Sequence, residues 1–400
     1  MRIVKLETIR PRIQPNLLFV RLIADNGLVG LGEAFFGPKA VEAYIHETAA
    51  PVLLKLDDAS PEVAASALSP YLGYQGAGAE VRGNAAIDLA LWDLLGLHSG
   101  LSLTELLGGS PGQRLKIYNT CAGSNYVRTT TRQSSDNWGL DRANASEFED
   151  LKSFLTTPGK LARELLDEGI TGMKIWPFDL AAETSGGTSI GRTELERGLA
   201  IVEEIRDEVG FDIDIMIELH GMWNRLSAEK IISALTRYKP FWVEDPIRAD
   251  AIDALRQLKA VVDVPIAIGE TSVGRRGVLP LLTSGSIDVL TLDLQWGGGL
   301  TEARKVAALA DTFSVPIAPH DCTGPVTLAA CMHLSASQPN ALIQETVRAF
   351  LRSWYSELVT GLPAVVDGHM TSATSPGHGV SLNDDALGDG RSERMVSSLP

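Results

Sequence analysis

The sequence predicts an α/β protein in which a small N-terminal α+β domain caps a (β/α)8 barrel of the TIM type. The 400 residues exceed what one compact core usually holds, which favours two domains. From residue 115 onward, short apolar runs alternate with amphipathic helical patterns in repeated strand–helix units. Glu218, Glu244 and Glu270 close apolar runs at intervals of 26 residues, near the length of one such unit. We therefore expect a capping domain at 1–114 and a barrel with the metal and catalytic site at 115–370.

The capping domain begins with strands and continues with helices. The apolar patterns predict strands at 2–12, 17–25 and 28–33, the last two joined by the turn at 25–27. Helical spacing of apolar residues follows at 39–54, 61–69 and 85–97.

The barrel region contains eight short apolar runs that predict strands, at 115–120, 171–176, 212–219, 241–244, 265–269, 288–293, 315–319 and 341–345. Helical patterns lie between them, at 194–208, 228–238, 249–258, 301–312 and 325–337. An open doubly wound sheet is the alternative, but it would require a glycine-rich phosphate-binding turn after its first strand, and the sequence has none.

Two polar stretches interrupt this rhythm, at 124–146 and 179–192, and each follows a predicted strand end. We expect irregular loops over the barrel mouth, either lids and substrate walls or plain surface insertions. Residues 371–400 are polar and rich in Gly and Ser, and we expect a C-terminal extension that packs on the capping domain or frays.

Composition limits the class of partner. A net charge of −15 argues against nucleic acid and anionic membranes, because both attract basic surfaces. Only three cysteines occur, Cys121, Cys322 and Cys331, without a disulfide framework. Neither a signal peptide nor an 18-residue apolar run is present. These features predict a cytoplasmic protein that acts on a small molecule.

The three glutamates predict a metal site. Equal spacing places their carboxylates at the same height on three successive strands of a barrel, where the side chains converge. Clustered carboxylates repel one another unless a cation lies between them, and a hard divalent ion such as Mg²⁺ prefers oxygen ligands. The alternative is three unrelated surface acids.

Histidines at strand ends predict proton transfer. His320 closes the seventh barrel strand and Asp293 the sixth, so the aspartate can fix the tautomer of the histidine and make it a general base. His220 follows Glu218 by two residues and is a candidate second acid or base. A loop histidine without a role is the alternative for His220.

The remaining site candidates are one lysine, one acid and two tryptophans. Lys174 lies within an apolar strand and needs an anion, either a substrate carboxylate or a barrel carboxylate. Glu345 closes the eighth strand and either donates to an oxyanion or is purely structural. Trp176 and Trp296 lie at or just after strand ends, where they can line a substrate pocket.

These residues resemble the enolase superfamily, and specifically its mandelate racemase subgroup, over nearly the whole chain. In the first domain, residues 86–93 and 106–109 are similar to stretches of that family's capping domain. In the barrel, the resemblance implies Mg²⁺ ligands on strands three to five, a dyad on strands six and seven, and an acid on strand eight, which are Glu218, Glu244, Glu270, Asp293, His320 and Glu345.

Departures from the family pattern reduce the number of activities to be expected. Racemases of the group carry Lys-x-Lys on strand two, but this chain has Lys174-Ile175-Trp176, and an indole cannot accept a proton. Two-sided proton exchange is therefore not expected. The position of His220 resembles acid-sugar dehydratases similar to galactonate dehydratase. The first metal ligand is Glu218, where the family more often has Asp.

The expected function is Mg²⁺-dependent dehydration of an aldonate or aldarate. Mg²⁺ and Lys174 would hold the substrate carboxylate, and His320 would remove the α-proton. His220 would protonate the departing β-hydroxyl, or His320 itself if elimination is syn, and the product is a 2-keto-3-deoxy acid. An isomerase, racemase or cycloisomerase with the same enediolate and a non-catalytic ligand-binding barrel are the alternatives. The family also implies a homo-oligomer.

Overall fold

The computed structural model describes residues 1–69, 77–130, 132–140, 149–388 and 390–399. The strands are β1 (Ile3–Pro11), β2 (Leu17–Ala24), β3 (Val29–Phe35), β4 (Arg114–Thr120), β5 (Gly172–Ile175), β6 (Asp214–Glu218), β7 (Trp242–Glu244), β8 (Ile266–Ile268), β9 (Val289–Leu290), β10 (Gln344–Thr346), β11 (Val359–Thr360), β12 (His369–Thr371), β13 (Ser381–Leu382) and β14 (Ser392–Ser398).

The α-helices are α1 (Pro38–Tyr44), α2 (Ala50–Leu53), α3 (Pro61–Ala67), α4 (Ala79–Ser99), α5 (Leu103–Leu106), α6 (Asp150–Thr156), α7 (Pro158–Asp167), α8 (Asp179–Ser185), α9 (Arg192–Val209), α10 (Arg225–Leu235), α11 (Ile252–Lys259), α12 (Gly274–Ser284), α13 (Leu300–Thr312), α14 (Pro325–Ser337), α15 (Arg348–Phe350), α16 (Ser356–Leu358) and α17 (Asp384–Leu387). Shorter 3₁₀ and π segments occupy Ser135–Asn137, Thr236–Tyr238, Ile45–Ala49 and Leu351–Tyr355. Across the described ranges, every helix is too short or too polar to cross a bilayer.

The first domain is built on a four-stranded antiparallel sheet in the order β14-β1-β2-β3. Helix α4 packs very closely on β3, where glycine is required. A Cβ on Gly30 would lie 2.1 Å from the carbonyl oxygen of Ala90, and one on Gly32 would lie 2.0 Å from that of Ala86. The last strand of the chain, β14, pairs antiparallel with β1, so the two chain ends meet in one sheet.

The barrel consists of a curled parallel sheet of seven strands in the order β10-β4-β5-β6-β7-β8-β9, flanked by helices, and the predicted fold class is confirmed. The predicted seventh barrel strand is not a continuous strand. Among the described residues it joins its neighbours through single bridges alone, from Ile317 to Leu290 and to Ala341 and from His320 to Asp293. Prolines at positions 316 and 319 remove two N–H donors, so a regular ladder cannot form there.

Apolar side chains fill the barrel interior directly below the carboxylates. Met216 and Trp242 each precede a strand-end glutamate by two residues, so they point into the same interior one layer down. They belong to one buried cluster with contributions from around the barrel, namely Tyr118, Met216, Trp242, Ala267, Val289, Ala318 and Ile343. This packed layer supports the strand ends that carry the carboxylates.

The stretch predicted to be irregular at 179–192 contains helix α8, and this prediction was wrong for its first half. Helix α12 was not predicted, because Gly277 and Pro280 interrupt its pattern, yet both lie within the helix. The predicted loop at 124–146 contains the 3₁₀ turn at Ser135–Asn137. Its residues 131 and 141–148 lie outside the described residues.

Two carboxylates of the first domain bind the starts of barrel helices. Glu33 Oε1 accepts the backbone N–H of Thr327 in α14 at 2.6 Å, and Asp88 Oδ2 accepts that of Thr301 in α13 at 2.9 Å. Both acids are fully enclosed, and burial raises the pKa of each to about 7. These two helices follow Asp293 and His320 in the chain, so the contacts fix the cap against the wall that carries this pair.

Candidate active site

Three strand ends bring Glu218, Glu244 and Glu270 together. Glu218 and Glu244 are the last residues of β6 and β7 and are register partners, and Glu270 follows β8 by two residues. One oxygen of each carboxylate lies within 4.8 Å of the others, and all three side chains are buried. The convergence expected from the equal spacing is therefore present.

The three carboxylates fit a hard divalent cation. Within the described residues, Glu218 Oε2 and Glu244 Oε1 are buried without a hydrogen-bond partner. Burial raises the pKa of Glu244 to about 8 even though Lys174 opposes the shift, and burial also raises the pKa of Glu270. A cation placed between three enclosed carboxylates stabilises their charges, and their oxygen donors match Mg²⁺.

Lys174 lies on the floor of the site among barrel carboxylates. Its Nζ is 2.9 Å from Glu345 Oε1, 3.3 Å from Glu244 Oε2 and 3.7 Å from Glu218 Oε2. The lysine therefore has the barrel carboxylates as partners, and its ammonium group still lines the cavity.

Glu345 lies beside Lys174 as a hydrogen-bond acceptor. Thr120 Oγ1 donates to Glu345 Oε1, and the backbone N–H of Asp321 donates to Oε2 at 2.7 Å. Burial alone would raise the pKa of Glu345, but Lys174 and His320 lower it to about 2. As an anion Glu345 has no proton to donate, so it orients Lys174 instead.

His320 and Asp293 form the expected pair on neighbouring strand ends. His320 Nδ1 lies 2.8 Å from Asp293 Oδ2, and the backbone N–H of Trp296 donates to Asp293 Oδ1 at 2.6 Å. The other ring nitrogen, Nε2, is 3.3 Å from Glu270 Oε2, so it faces the carboxylate triad. Burial lowers the pKa of His320, but Glu270, Glu345 and Asp293 together hold it well above its ordinary value.

His220 forms a second histidine–aspartate pair. Its Nδ1 lies 2.8 Å from Asp179 Oδ2, while its backbone N–H donates to Glu218 Oε1 at 2.6 Å. The chain leaves the strand here in a left-handed conformation, with φ of 51° at His220 and 64° at Gly221. His220 follows the third barrel strand and His320 closes the seventh. The two rings therefore face the cavity from opposite walls of the barrel.

A cavity of about 490 Å³ joins these groups. Trp176 lies 6.0 Å from the ring of His220, and Trp296 lies 5.2 Å from that of His320, centre to centre. Within the described chain, the Nε1 atom of each indole is buried without a hydrogen-bond partner. The lining includes residues of the first domain, of the 124–140 segment and of the barrel, namely Phe36, Gly37, Arg82, Thr120, Tyr126, Val127, Gln133, Lys174, Trp176, Glu218, His220, Glu270, Thr271, Trp296, His320 and Cys322.

Several residues of the site were not predicted from the sequence, and four of them are Asp179, Phe36, Arg82 and Asp245. Asp179 opens a helix in a stretch assigned to a loop, and Phe36 and Arg82 belong to the other domain. None of these three carries a local signal, because only the packing of distant segments brings them to the cavity. Asp245 had a signal: it follows Glu244 directly in the Val-Glu-Asp-Pro sequence. Its side chain is buried, and burial and Glu270 raise its pKa well above its usual range.

The family model described as the mandelate racemase / muconate lactonizing enzyme N-terminal domain matches residues 8–108, and the one described as enolase C-terminal domain-like matches residues 159–386. A D-galactonate dehydratase of Pectobacterium atrosepticum is 29% identical over 394 residues, which cover 97% of this chain and 94% of that protein. One from Xanthomonas oryzae pv. oryzae is 30% identical over 397 residues, with the same coverage.

Among solved structures, an enolase of the mandelate racemase subgroup from Agrobacterium tumefaciens superposes with a TM-score of 0.88 at 41% identity. The match covers 100% of this chain and 99% of that one. Both domains, in the same order, therefore have counterparts in one known architecture. The chain belongs to the enolase superfamily, in its mandelate racemase / muconate lactonizing enzyme group.

Proposed function

We propose that this protein is a Mg²⁺-dependent dehydratase of acid sugars, a carbon–oxygen lyase that converts an aldonate or aldarate to a 2-keto-3-deoxy acid. One observation carries the proposal: two histidine–aspartate pairs face one cavity from opposite walls, with the carboxylate triad between them. Relatives about 30% identical over nearly the whole chain are D-galactonate dehydratases, which supports the same reaction class.

Glu218, Glu244 and Glu270 would hold the Mg²⁺ ion. When bound, the ion stabilises the negative charge that develops on the substrate carboxylate as the α-proton leaves. Lys174 supplies a second positive charge at the same carboxylate, and Glu345 orients its ammonium group. Because the site is buried, these charges act with little screening by water.

His320 is the proposed base. Asp293 accepts the Nδ1–H of the ring, and Nε2 faces Glu270 in the interior of the site. Burial lowers the pKa of His320, and Glu270 is the first of the carboxylates that raise it. Once a cation takes up the charge of Glu270, Nε2 would therefore release its proton and carry the free electron pair of a base. The α C–H bond breaks, its proton moves to Nε2, and its electron pair enters the enediolate. Asp293 then stabilises the imidazolium that results.

His220 is the proposed acid. Its Nδ1 is held by Asp179, so its Nε2–H can protonate the β-hydroxyl from the opposite wall. The C–O bond breaks, water leaves, and the electron pair of the enediolate forms the Cα–Cβ double bond of an enol. Tautomerisation of that enol gives the 2-keto-3-deoxy acid. With base and acid on opposite walls, the proposed elimination is anti.

Trp176 argues against a racemase. It lies two residues after Lys174 in the strand-two segment, where a second base would have to lie, and an indole cannot accept a proton. Return of a proton to the opposite face of Cα therefore lacks a donor at this position.

The experiment is incubation of the purified protein with Mg²⁺ and a panel of hexonates, pentonates and aldarates in D₂O. Ketone formation and α-deuteration are read by NMR. Dehydration of at least one acid sugar is expected. Deuterium incorporation without loss of water would indicate an isomerase instead, and no reaction or exchange with any acid sugar would overturn the proposal. The homo-oligomer and the cytoplasmic location stay predictions.

A further inference from the structure

Arg82 brings a positive charge from the first domain into the active-site cavity. It lies near the start of α4 and lines the cavity together with Phe36 of the same domain. Its guanidinium carbon is 6.0 Å from the centre of the Trp296 ring, and the same indole lies 5.2 Å from the ring of His320. The guanidinium therefore belongs to the wall that carries the proposed base.

Arg82 has no anionic partner in the described part of the chain. Its Nε is buried without a hydrogen-bond partner, and no carboxylate of a described residue forms an ion pair with the side chain. Burial lowers the pKa of Arg82, and Asp293 and Glu80 oppose this only from beyond ion-pair distance. Two other partly buried arginines have carboxylate partners: Arg10 lies 2.8 Å from Glu42, and Arg21 lies 2.6 Å from Asp384. A third, Arg206, donates to backbone carbonyls instead. A guanidinium that loses water without gaining an anion costs free energy, so this position favours an anion from a ligand.

The cavity has a second cation, Lys174, which the proposed function assigns to the reacting carboxylate of the substrate. Among the described lining residues, only Lys174 and Arg82 carry a fixed positive charge. Lys174 lies on the barrel floor beside Glu345 and Glu244, whereas Arg82 enters from the cap. A substrate whose reacting carboxylate lies at the floor therefore meets Arg82 with another part of its chain.

We infer that Arg82 binds a second carboxylate at the far end of the substrate, which makes the preferred substrate class the aldarates. The inference rests on the proposed function, because the dehydration site must hold the first carboxylate. A planar guanidinium pairs with a planar carboxylate through two parallel hydrogen bonds. The terminal alcohol of an aldonate would leave the charge of Arg82 unpaired. One guanidinium without a neighbouring free cation matches a monoanionic carboxylate better than a phosphate dianion.

The test compares each hexarate with the hexonate of the same configuration on the Mg²⁺-loaded enzyme. The wild-type protein should have the higher kcat/KM for the hexarate. In Arg82→Gln this preference should fall by about 10- to 100-fold, the effect of losing one charge-assisted pair. Arg82→Lys should recover part of the preference for the hexarate, because lysine keeps the positive charge but cannot form two parallel hydrogen bonds to one carboxylate. Arg192→Gln is the control, since this exposed arginine pairs with Glu196 on α9 and should leave the preference unchanged.

Three outcomes would overturn the inference. An equal loss for hexarates and hexonates in Arg82→Gln would assign Arg82 a packing role beside Trp296. Preference for 6-phosphoaldonates over aldarates would indicate a phosphate site. If no acid sugar reacts, the proposed function fails, and calorimetric binding of hexarates then tests the second carboxylate site independently of turnover. Weaker binding to Arg82→Gln than to the wild-type protein then supports the second carboxylate site, and equal or undetectable binding refutes it.

Discussion

Asp179 Oδ2 lies 2.8 Å from His220 Nδ1, although the two residues are 41 positions apart in the chain. Asp179 is buried at the start of α8, and burial raises the pKa of its carboxyl group. The pair repeats, on the opposite wall, the relationship of Asp293 to His320. An aspartate at this distance fixes which ring nitrogen carries the proton that the imidazole can deliver.

Asp179→Asn should slow the loss of water while leaving removal of the α-proton largely intact. The amide no longer favours the proton-donating form of His220, so loss of water should slow by about 10²-fold or more. Removal of the α-proton depends on His320 and should continue. The measurement is α-deuteration of the substrate in D₂O alongside ketone formation. Asp207→Asn, an exposed position on α9, is the control, and parallel loss of both signals would contradict the role given to His220.

His320→Asn should abolish both removal of the α-proton and the loss of water that follows it. Without the imidazole nothing accepts the α-proton, and we expect turnover and exchange to fall by about 10²- to 10⁴-fold. Binding of Mg²⁺, followed by calorimetry, should persist, because the three glutamates remain in place. Near-native exchange in this variant would show that another group is the base.

Glu244→Gln should weaken Mg²⁺ binding and leave the metal-free protein at least as stable as the wild type. The pKa of Glu244 is raised to about 8, so near neutral pH the apo fold already favours a neutral group there. We expect the variant to melt in EDTA at or above the wild-type temperature and to gain less stability from Mg²⁺. Glu203→Gln, exposed on α9, is the control. An unchanged Mg²⁺ response would remove Glu244 from the ligand set.

Glu33 should make stability fall as pH rises. Its folded pKa of about 7 exceeds the ordinary value of 4.5, so the folded protein binds more protons than the unfolded chain between these values. Its stabilising contribution is therefore complete below pH 4.5 and is lost as pH rises to about 7, by about 3 kcal/mol. The measurement is urea unfolding of wild-type protein and Glu33→Gln from pH 5 to 8.

The stability of the wild-type protein relative to Glu33→Gln should decline across that range and level off above pH 7. Asp88, whose pKa is also raised to about 7, remains in the variant, so some pH dependence should persist there. A constant difference between the two proteins would mean that Glu33 keeps an ordinary pKa.

Two glycine substitutions should act in opposite directions. In Gly32→Ala the new methyl would lie 2.0 Å from the backbone oxygen of Ala86, so β3 and α4 must separate, at about 1–3 kcal/mol or more. In Gly277→Ala the nearest atoms are at 3.6 Å on an exposed face of α12, and helix propensity should add up to about 1 kcal/mol. Thermal unfolding distinguishes them, and equal effects would contradict the tight packing of α4.

The sequence alone predicted the parts of the molecule that depend on local pattern. Apolar runs determine where the strands end, and equal spacing places Glu218, Glu244 and Glu270 at one height of the barrel. Their convergence could therefore be predicted from the sequence. Pairing of His320 with Asp293 followed for the same reason, since neighbouring parallel strands end side by side. The interruption of the seventh strand by its two prolines could also have been foreseen.

The tertiary structure alone decided which distant segments complete the site. Asp179 reaches His220 because α8 folds back over the barrel mouth, and Arg82 reaches the cavity because the capping domain is held against α13 and α14. Periodicity reports which way a side chain points from its own strand or helix. It carries no information about which other segment lies opposite, and the contacts that bring Asp179 to His220 and Arg82 to the cavity are of that kind.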